Sequence, residues 1–240
     1  MNEVPLTAVK ALTFDVFGTV VDWRTSVASE LRATLGAKGY ELDWYRLADE
    51  WRSQYQPALE SVRSGQRPWV TLDVLHLENL GTLLEQHSIS GLSDAELEEL
   101  SHAWWRLDPW PDTVDGLTRL KERFIIATLS NGNIALMVNL AKHGGLPWDA
   151  ILGAEISHSY KEQPQTYLHS AEALGLRPDE VALVAAHNGD LLAAAACGFR
   201  TAFVSRPTEH GSNQTTDLEA EHDFDVVATS LTDLAQQLGC

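Results

Sequence analysis

The stretch LTFDVFGTVVDW (residues 12–23) reads as a short apolar strand that ends in one carboxylate, Asp15, and passes at once into a turn containing Gly18 and Thr19. In an α/β sheet the carboxyl ends of the strands face the ligand crevice, and free backbone N–H groups gather beside them. Asp15 therefore stands where a nucleophile would be useful. Phe17 is equally informative, because an aspartate-based phosphoryl-transfer enzyme would want a second carboxylate there for acid–base work and for Mg²⁺. A phenyl ring serves neither purpose. Taken alone, Asp15 also fits a plainer role as a strand-end turn residue, the commoner fate of an isolated aspartate.

Outward from this stretch the chain changes character twice. Beyond residue 110, RFIIATLS (123–130), AILGAE (150–155), VALVAA (181–186), TAFVS (201–205) and FDVVA (224–228) are short apolar runs. Helical patterns alternate with them: NIALMVNLAKHGG places Ile134, Met137, Val138 and Ala141 on one face before Gly144 and Gly145. Further helices are expected around 164–174 and 189–197, and a last one is marked by Leu231, Leu234 and Leu238. This βαβ rhythm predicts an α/β fold with a Rossmann-like parallel sheet core flanked by helices.

Residues 21–106 read as helices throughout. Val27, Leu31 and Leu35 form one stripe, and Trp44, Leu47, Trp51 and Tyr55 another. Ser93 and Glu96 make a capping box ahead of Leu97, Leu100 and Trp104. We expect a catalytic core of residues 1–20 and 107–240, rejoined through Asp108, Pro109, Trp110 and Pro111, with an inserted helical cap at 21–106 lying over Asp15. Residues 206–223 read as a long polar loop, whose Asn213 sequon a cytoplasmic chain would not use.

Composition narrows the function classes. Thirty-four acidic side chains against 17 basic ones give a formal net charge of −17, the wrong sign for a nucleic-acid partner. A small anion remains compatible, since a few cations and helix N-termini in one cleft suffice to bind it. Two cysteines, Cys197 and Cys240, exclude a disulfide framework and zinc-type spacing. The start lacks a basic segment followed by a long apolar one, and no later run approaches a membrane span, so we expect a soluble cytoplasmic protein.

Four strand ends now deliver polar groups to one edge of the expected sheet: Asp15; Ser130 with Asn131; Lys161; and His187, Asn188 and Asp190. Each has a plain alternative, with Ser130 and Asn131 as helix caps, Lys161 as a surface lysine and Asp190 as a first-turn acid. Converging from four independent loops, they read as a catalytic site.

The motifs FDVFGT, LSNG, YKEQPQTY and AAHNGD, with EWRSQY in the cap, stand in an order and spacing that resemble the L-2-haloacid dehalogenases, the type II class of the haloacid dehalogenase superfamily, from about residue 10 to the C-terminus. The resemblance implies that Asp15 attacks C2 of an (S)-2-haloacid such as a short 2-haloalkanoate or haloacetate. Halide leaves, and water then hydrolyses the aspartyl ester to an (R)-2-hydroxyacid with inversion at C2. No metal and no cofactor are implied, and the only partners are the substrate and the halide product, with neither nucleic acid nor membrane. Members commonly form symmetric homodimers.

The same resemblance assigns roles. Lys161 holds Asp15 ionised; Arg52, with Asn131, meets the departing halide. Ser130, Thr19 and the amides of Val16 and Phe17 hold the substrate carboxylate, with Tyr167 from the lysine motif beside them. Asp190 orients or deprotonates the water, assisted by His187 or Asn188. Arg63 and Arg67 are alternative cap cations. Trp23, Trp51, Trp69 and Phe17 are candidates for an apolar wall. Two departures stand out: Ala185, Ala186 and His187 occupy a loop that often carries serine and asparagine, and Glu162 follows Lys161 where proline is common. Two other readings stay open, a phosphatase of the same superfamily and a non-catalytic small-acid-binding protein.

Overall fold

A computed structural model describes residues 6–240 of the 240-residue chain. Strand β1 (Ala11–Phe14) carries four apolar or small side chains in a row, all inaccessible to solvent, which suits a strand covered on both faces. After it the chain forms the short strand β2 (Val21–Asp22) and five helices: α1 (Trp23–Gly36), α2 (Trp44–Ser53), α3 (Tyr55–Arg63), α4 (Leu72–Gln86) and α5 (Asp94–Ser101). Strand β3 (Asp108–Pro109) then returns antiparallel to β2, so a two-stranded ribbon ties the entry of the helical insertion to its exit.

The remainder alternates: α6 (Thr113–Lys121), β4 (Ile125–Ser130), α7 (Ile134–Gly144), β5 (Ala150–Gly153), α8 (Ala154–Ser157), α9 (Pro164–Ala173), β6 (Val181–Ala185), α10 (Asn188–Ala196), β7 (Arg200–Val204), β8 (Val226–Ala228) and α11 (Leu231–Gln237). Six strands form one parallel sheet in the order β5-β4-β1-β6-β7-β8. After β1 the sheet grows first toward β4 and β5, and then on its other side from β6. The crevice beyond the carboxyl ends of β1 and β6 is thus the topological switch point, where open α/β sheets bind ligands.

Strand periodicity divides the core. Leu12, Phe14, Ile126, Ala182 and Val184 pack on the sheet face continuous with the cap, whereas Ala11, Leu129, Val181, Leu183 and Ala185 pack on the other with Tyr167, Leu191 and Phe203. The first cluster runs without a break through Phe17 into Trp23, Trp51 and Trp104 of the helical insertion. Its packing fixes the insertion above the switch point.

Several local expectations change. The Trp44–Tyr55 stripe breaks at Gln54 into two helices, and Val21–Asp22 pairs as a strand. In α7 the buried face is Leu136, Met137 and Leu140, while Ile134 is 40% exposed; an all-apolar helix start offers more than one stripe, and the neighbours choose. AILGAE ends as a strand at Gly153, where φ is +132° and a Cβ would lie 2.0 Å from the Ser130 carbonyl oxygen. Only glycine lets β5 approach β4 so closely, and the next residues turn into a helix.

Candidate active site

The Asp15 turn is pinned from several directions. The Asp15 amide donates to the Val184 carbonyl at 3.0 Å, Val20 N–H to the Val16 carbonyl at 2.9 Å, Trp110 Nε1 to the Gly18 carbonyl at 2.8 Å, and Arg206 Nε to the Thr19 carbonyl at 2.9 Å. These contacts present the carboxylate to a cavity of about 620 Å³ lined by Phe17, Trp23, Arg52, Asn131, Lys161, His187, Asp190 and Glu209 among others.

Both oxygens of Asp15 are held. Oδ1 lies 3.0 Å from Lys161 Nζ; Oδ2 accepts from the Thr19 hydroxyl at 2.8 Å and lies 3.2 Å from His187 Nδ1. Burial pushes its pKa up, but Lys161 and His187 outweigh burial and hold the carboxyl well below its ordinary range. A buried yet ionised carboxylate facing a cavity is an available nucleophile.

Lys161 also bridges to Asp190 Oδ2 at 2.6 Å, while Asp190 Oδ1 accepts from the Tyr167 hydroxyl at 2.6 Å. Burial works against the Lys161 charge, but Asp15 and Asp190 raise its pKa above the usual value. For Asp190 burial dominates and, with Asp15 nearby, raises the pKa against the pull of Lys161 and Tyr167. The Lys161 loop is clamped in turn: its amide donates to Asn131 Oδ1 at 2.8 Å, and Arg63 Nη1 donates to its carbonyl at 2.6 Å.

On the cap side, the Arg52 guanidinium is surrounded by rings: Tyr55 at 3.9 Å from its Cζ, Trp23 at 5.5 Å, and Phe17 and Trp104 each at 5.9 Å. Its Nη1 is buried without a hydrogen-bond partner among the described residues. An orphaned buried donor on a cation is costly unless an anion meets it. Asn131 Nδ2 donates to the Tyr55 hydroxyl at 2.8 Å, tying the β4 loop to this corner.

The structure therefore brings Asp15, Phe17, Arg52, Asn131, Lys161, His187 and Asp190 to one cavity. The other expected site residues make contacts around this cavity. Thr19 accepts from the Ala186 amide and holds Asp15. Tyr167 lies outside the cavity lining, on α9, and its hydroxyl holds Asp190. The Asn188 side chain is tied to Asp217, the Glu219 carbonyl and the Glu221 amide. Ser130 is fully buried, with Oγ accepting from the Gly132 amide; the Val16 side chain is core, so only its backbone amide is available to a ligand. Trp51 and Trp69 pack on Trp104 and Tyr160 and leave the wall to Trp23 and Phe17. Arg67 pairs with Glu78 at the surface.

Two site residues had no signal in the sequence. Glu209 lies in what read as a polar loop, yet it is buried, accepting from Trp23 Nε1 at 2.9 Å and lying 2.9 Å from His187 Nε2. Its carboxylate fills the space where a Cβ on Gly18 would stand, 2.1 Å from that position, and Gly18 has φ +85°. His76 lies beneath Arg52, stacked on Trp104 at 4.4 Å, with neither ring nitrogen partnered in the structure. Burial and Arg52 hold its pKa well below the usual value, so the ring is neutral.

A buried aspartate at the switch point of a parallel sheet, roofed by an inserted helical unit, defines a capped Rossmann-like protein with a cavity suited to chemistry on a small molecule. The family described as haloacid dehalogenase-like hydrolase matches residues 9–198. The chain belongs to that family. Two solved structures are similar over almost the whole length: the defluorinating L-2-haloacid dehalogenase Rha0230 (50% identity, TM-score 0.95, 97% of this chain and 96% of that one) and the L-2-haloacid dehalogenase PA0810 (47%, 0.93, 96% and 98%). The (S)-2-haloacid dehalogenase of Xanthobacter autotrophicus is 30% identical over 82% of this chain and 76% of its own.

Proposed function

We propose that this protein is an (S)-2-haloacid dehalogenase that works through an Asp15 ester. The observation that carries the reading is a buried, ionised Asp15 sharing one cavity with an Arg52 whose Nη1 lacks a partner, while Phe17 stands where a metal-organising carboxylate would be. An Asp15 oxygen attacks C2 of the haloacid, the C–halogen bond breaks, and the halide departs toward Arg52. Lys161 keeps the nucleophile ionised and oriented. Water then adds to the ester carbonyl, the acyl–oxygen bond breaks, and the hydroxyacid leaves with the oxygen that Asp15 supplied. One displacement at C2 inverts its configuration.

The phosphatase alternative is disfavoured on chemical grounds. The Lys161 ammonium already bridges Asp15 and Asp190 and offsets part of their charge, while Phe17 offers no further carboxylate to a divalent ion. Chelator should therefore leave dehalogenation unchanged. The similarity to dehalogenases, one described as defluorinating, places fluoroacetate in the substrate panel beside 2-chloropropionate. By the same family likeness we take the protein to be a cytoplasmic homodimer.

The test is a single turnover in H₂¹⁸O with enzyme in excess over (S)-2-chloropropionate. Heavy oxygen should enter the Asp15 carboxylate and not the hydroxyacid, and Asp15→Asn should release no halide. Heavy oxygen in the first-turnover product, or phosphate release from a phosphomonoester in place of halide release, would refute the proposal.

A further inference from the structure

Resting on the dehalogenase reading, we infer that His187, held by Glu209, and not Asp190, takes the proton from the water that opens the Asp15 ester and passes it to the departing alkoxide. Glu209 is then a positioning residue supplied by the loop after β7.

The geometry argues this from both sides. Both Asp190 oxygens are already engaged, each by a 2.6 Å hydrogen bond, one from Lys161 and one from Tyr167. A proton taken up by Asp190 would remove the charge that Lys161 pairs with, leaving the ammonium with Asp15 alone in a site where burial is nearly complete. His187 lies on the other flank of Asp15 and lines the cavity, with Nδ1 toward the carboxylate and Nε2 on Glu209. A carboxylate on the far nitrogen fixes the ring's orientation and tautomer, leaving the near nitrogen to exchange protons with the reacting centre.

Glu209 itself is placed with some care by the fold. Trp23 Nε1 holds Oε1, His210 Nε2 lies 3.6 Å from that oxygen, and the missing side chain of Gly18 provides the space. The loop bearing it is anchored by Arg206, whose guanidinium makes a two-pronged contact with Asp112 at 2.8 and 2.9 Å.

Charge makes the arrangement sequential. In the free enzyme His187 faces two carboxylates, Asp15 and Glu209; Lys161 sits on the other oxygen of Asp15, and Arg52 and Asp49 of α2 line the same cavity. Burial opposes the imidazolium, but Glu209 and Asp15 raise the His187 pKa well above its usual value, so the ring begins protonated and supports the Asp15 anion. Alkylation turns Asp15 into a neutral ester and removes one of the two charges that hold this proton. The proton leaves to solvent, the one acid equivalent that hydrolysis of a carbon–halogen bond must release. Neutral His187 then accepts a proton from water as the hydroxide oxygen bonds to the Asp15 carbonyl carbon. The tetrahedral adduct collapses by breaking the bond to the hydroxyacid oxygen, which takes the proton from His187. Asp15 re-forms as an acid and returns its proton to His187.

The test separates the two half-reactions. With (S)-2-chloropropionate in excess, His187→Asn should release one halide per active site and stall, with the ester visible by intact-protein mass spectrometry and its hydrolysis slowed at least about 100-fold. Asp190→Asn should slow halide release through Lys161 and accumulate no ester. Glu209→Gln should slow ester hydrolysis about tenfold and shift the acid limb of its pH profile to lower pH, because His187 loses a negative neighbour. Ester accumulating in Asp190→Asn but not in His187→Asn would overturn the inference. So would a Glu209→Gln pH profile that does not move, a readout that stands even if His187→Asn fails to fold. Absence of any halide release by the unsubstituted enzyme would instead overturn the dehalogenase reading itself.

Discussion

Gly18→Ala probes the link between the nucleophile turn and the distant loop without touching a reacting group. Alanine at φ +85° costs about 1–2 kcal/mol on backbone sterics alone. Its Cβ would also stand 2.1 Å from Glu209 Oε1 and 2.2 Å from Cδ, so the carboxylate must leave Trp23 and His187. Losing hydrogen bonds to a buried charge adds about 2–3 kcal/mol. The substitution should therefore destabilise by about 3–5 kcal/mol, visible as a fall in Tm of about 10 °C. In a Glu209→Ala background the clash is gone and only the backbone cost of about 1–2 kcal/mol should remain. Urea unfolding of the four proteins, followed by tryptophan fluorescence and circular dichroism, gives the coupling energy directly, expected at about 2–3 kcal/mol. Effects that add to within about 0.5 kcal/mol would refute the claim that Gly18 is the space Glu209 occupies.

Other outcomes follow from the same contacts. Lys161→Met leaves Asp15 and Asp190 buried without their shared cation, and should abolish turnover and destabilise by about 3–5 kcal/mol; retention of a tenth of the activity would contradict the role given to Lys161. His76→Phe removes two buried nitrogens that have no partner among the described residues, and should raise stability by about 1 kcal/mol in urea unfolding, whereas a loss of stability would show that the imidazole is hydrogen-bonded. The His187 pKa is raised on folding, so its contribution to stability is complete below the unfolded value of about 6.5 and is lost as pH rises through the folded value. Urea midpoints from pH 6 upward should therefore fall in the native protein with a slope that His187→Asn lacks; equal slopes would remove the imidazolium from the resting site.

The sequence alone determined the features that depend on near neighbours. Apolar runs bounded by turn residues marked the six sheet strands, and helical spacing marked the insertion after β1. Polar residues just beyond strand ends marked Asp15, Asn131, Lys161, His187 and Asp190, because the end of a parallel strand faces the crevice whatever the loop then does. Tertiary structure alone decided which of these groups face one another. Nothing local distinguishes a Tyr167 that contacts substrate from one that holds Asp190, or an Asn188 that orders water from one that anchors the 217–221 segment. Glu209 was illegible for the same reason. Its partner Trp23 is 186 positions away, and no periodicity records where an irregular loop returns. That course is set by Arg206 on Asp112, by the cavity above Gly18 and by burial of the loop against the insertion, all of which exist only once the sheet and its cap have packed.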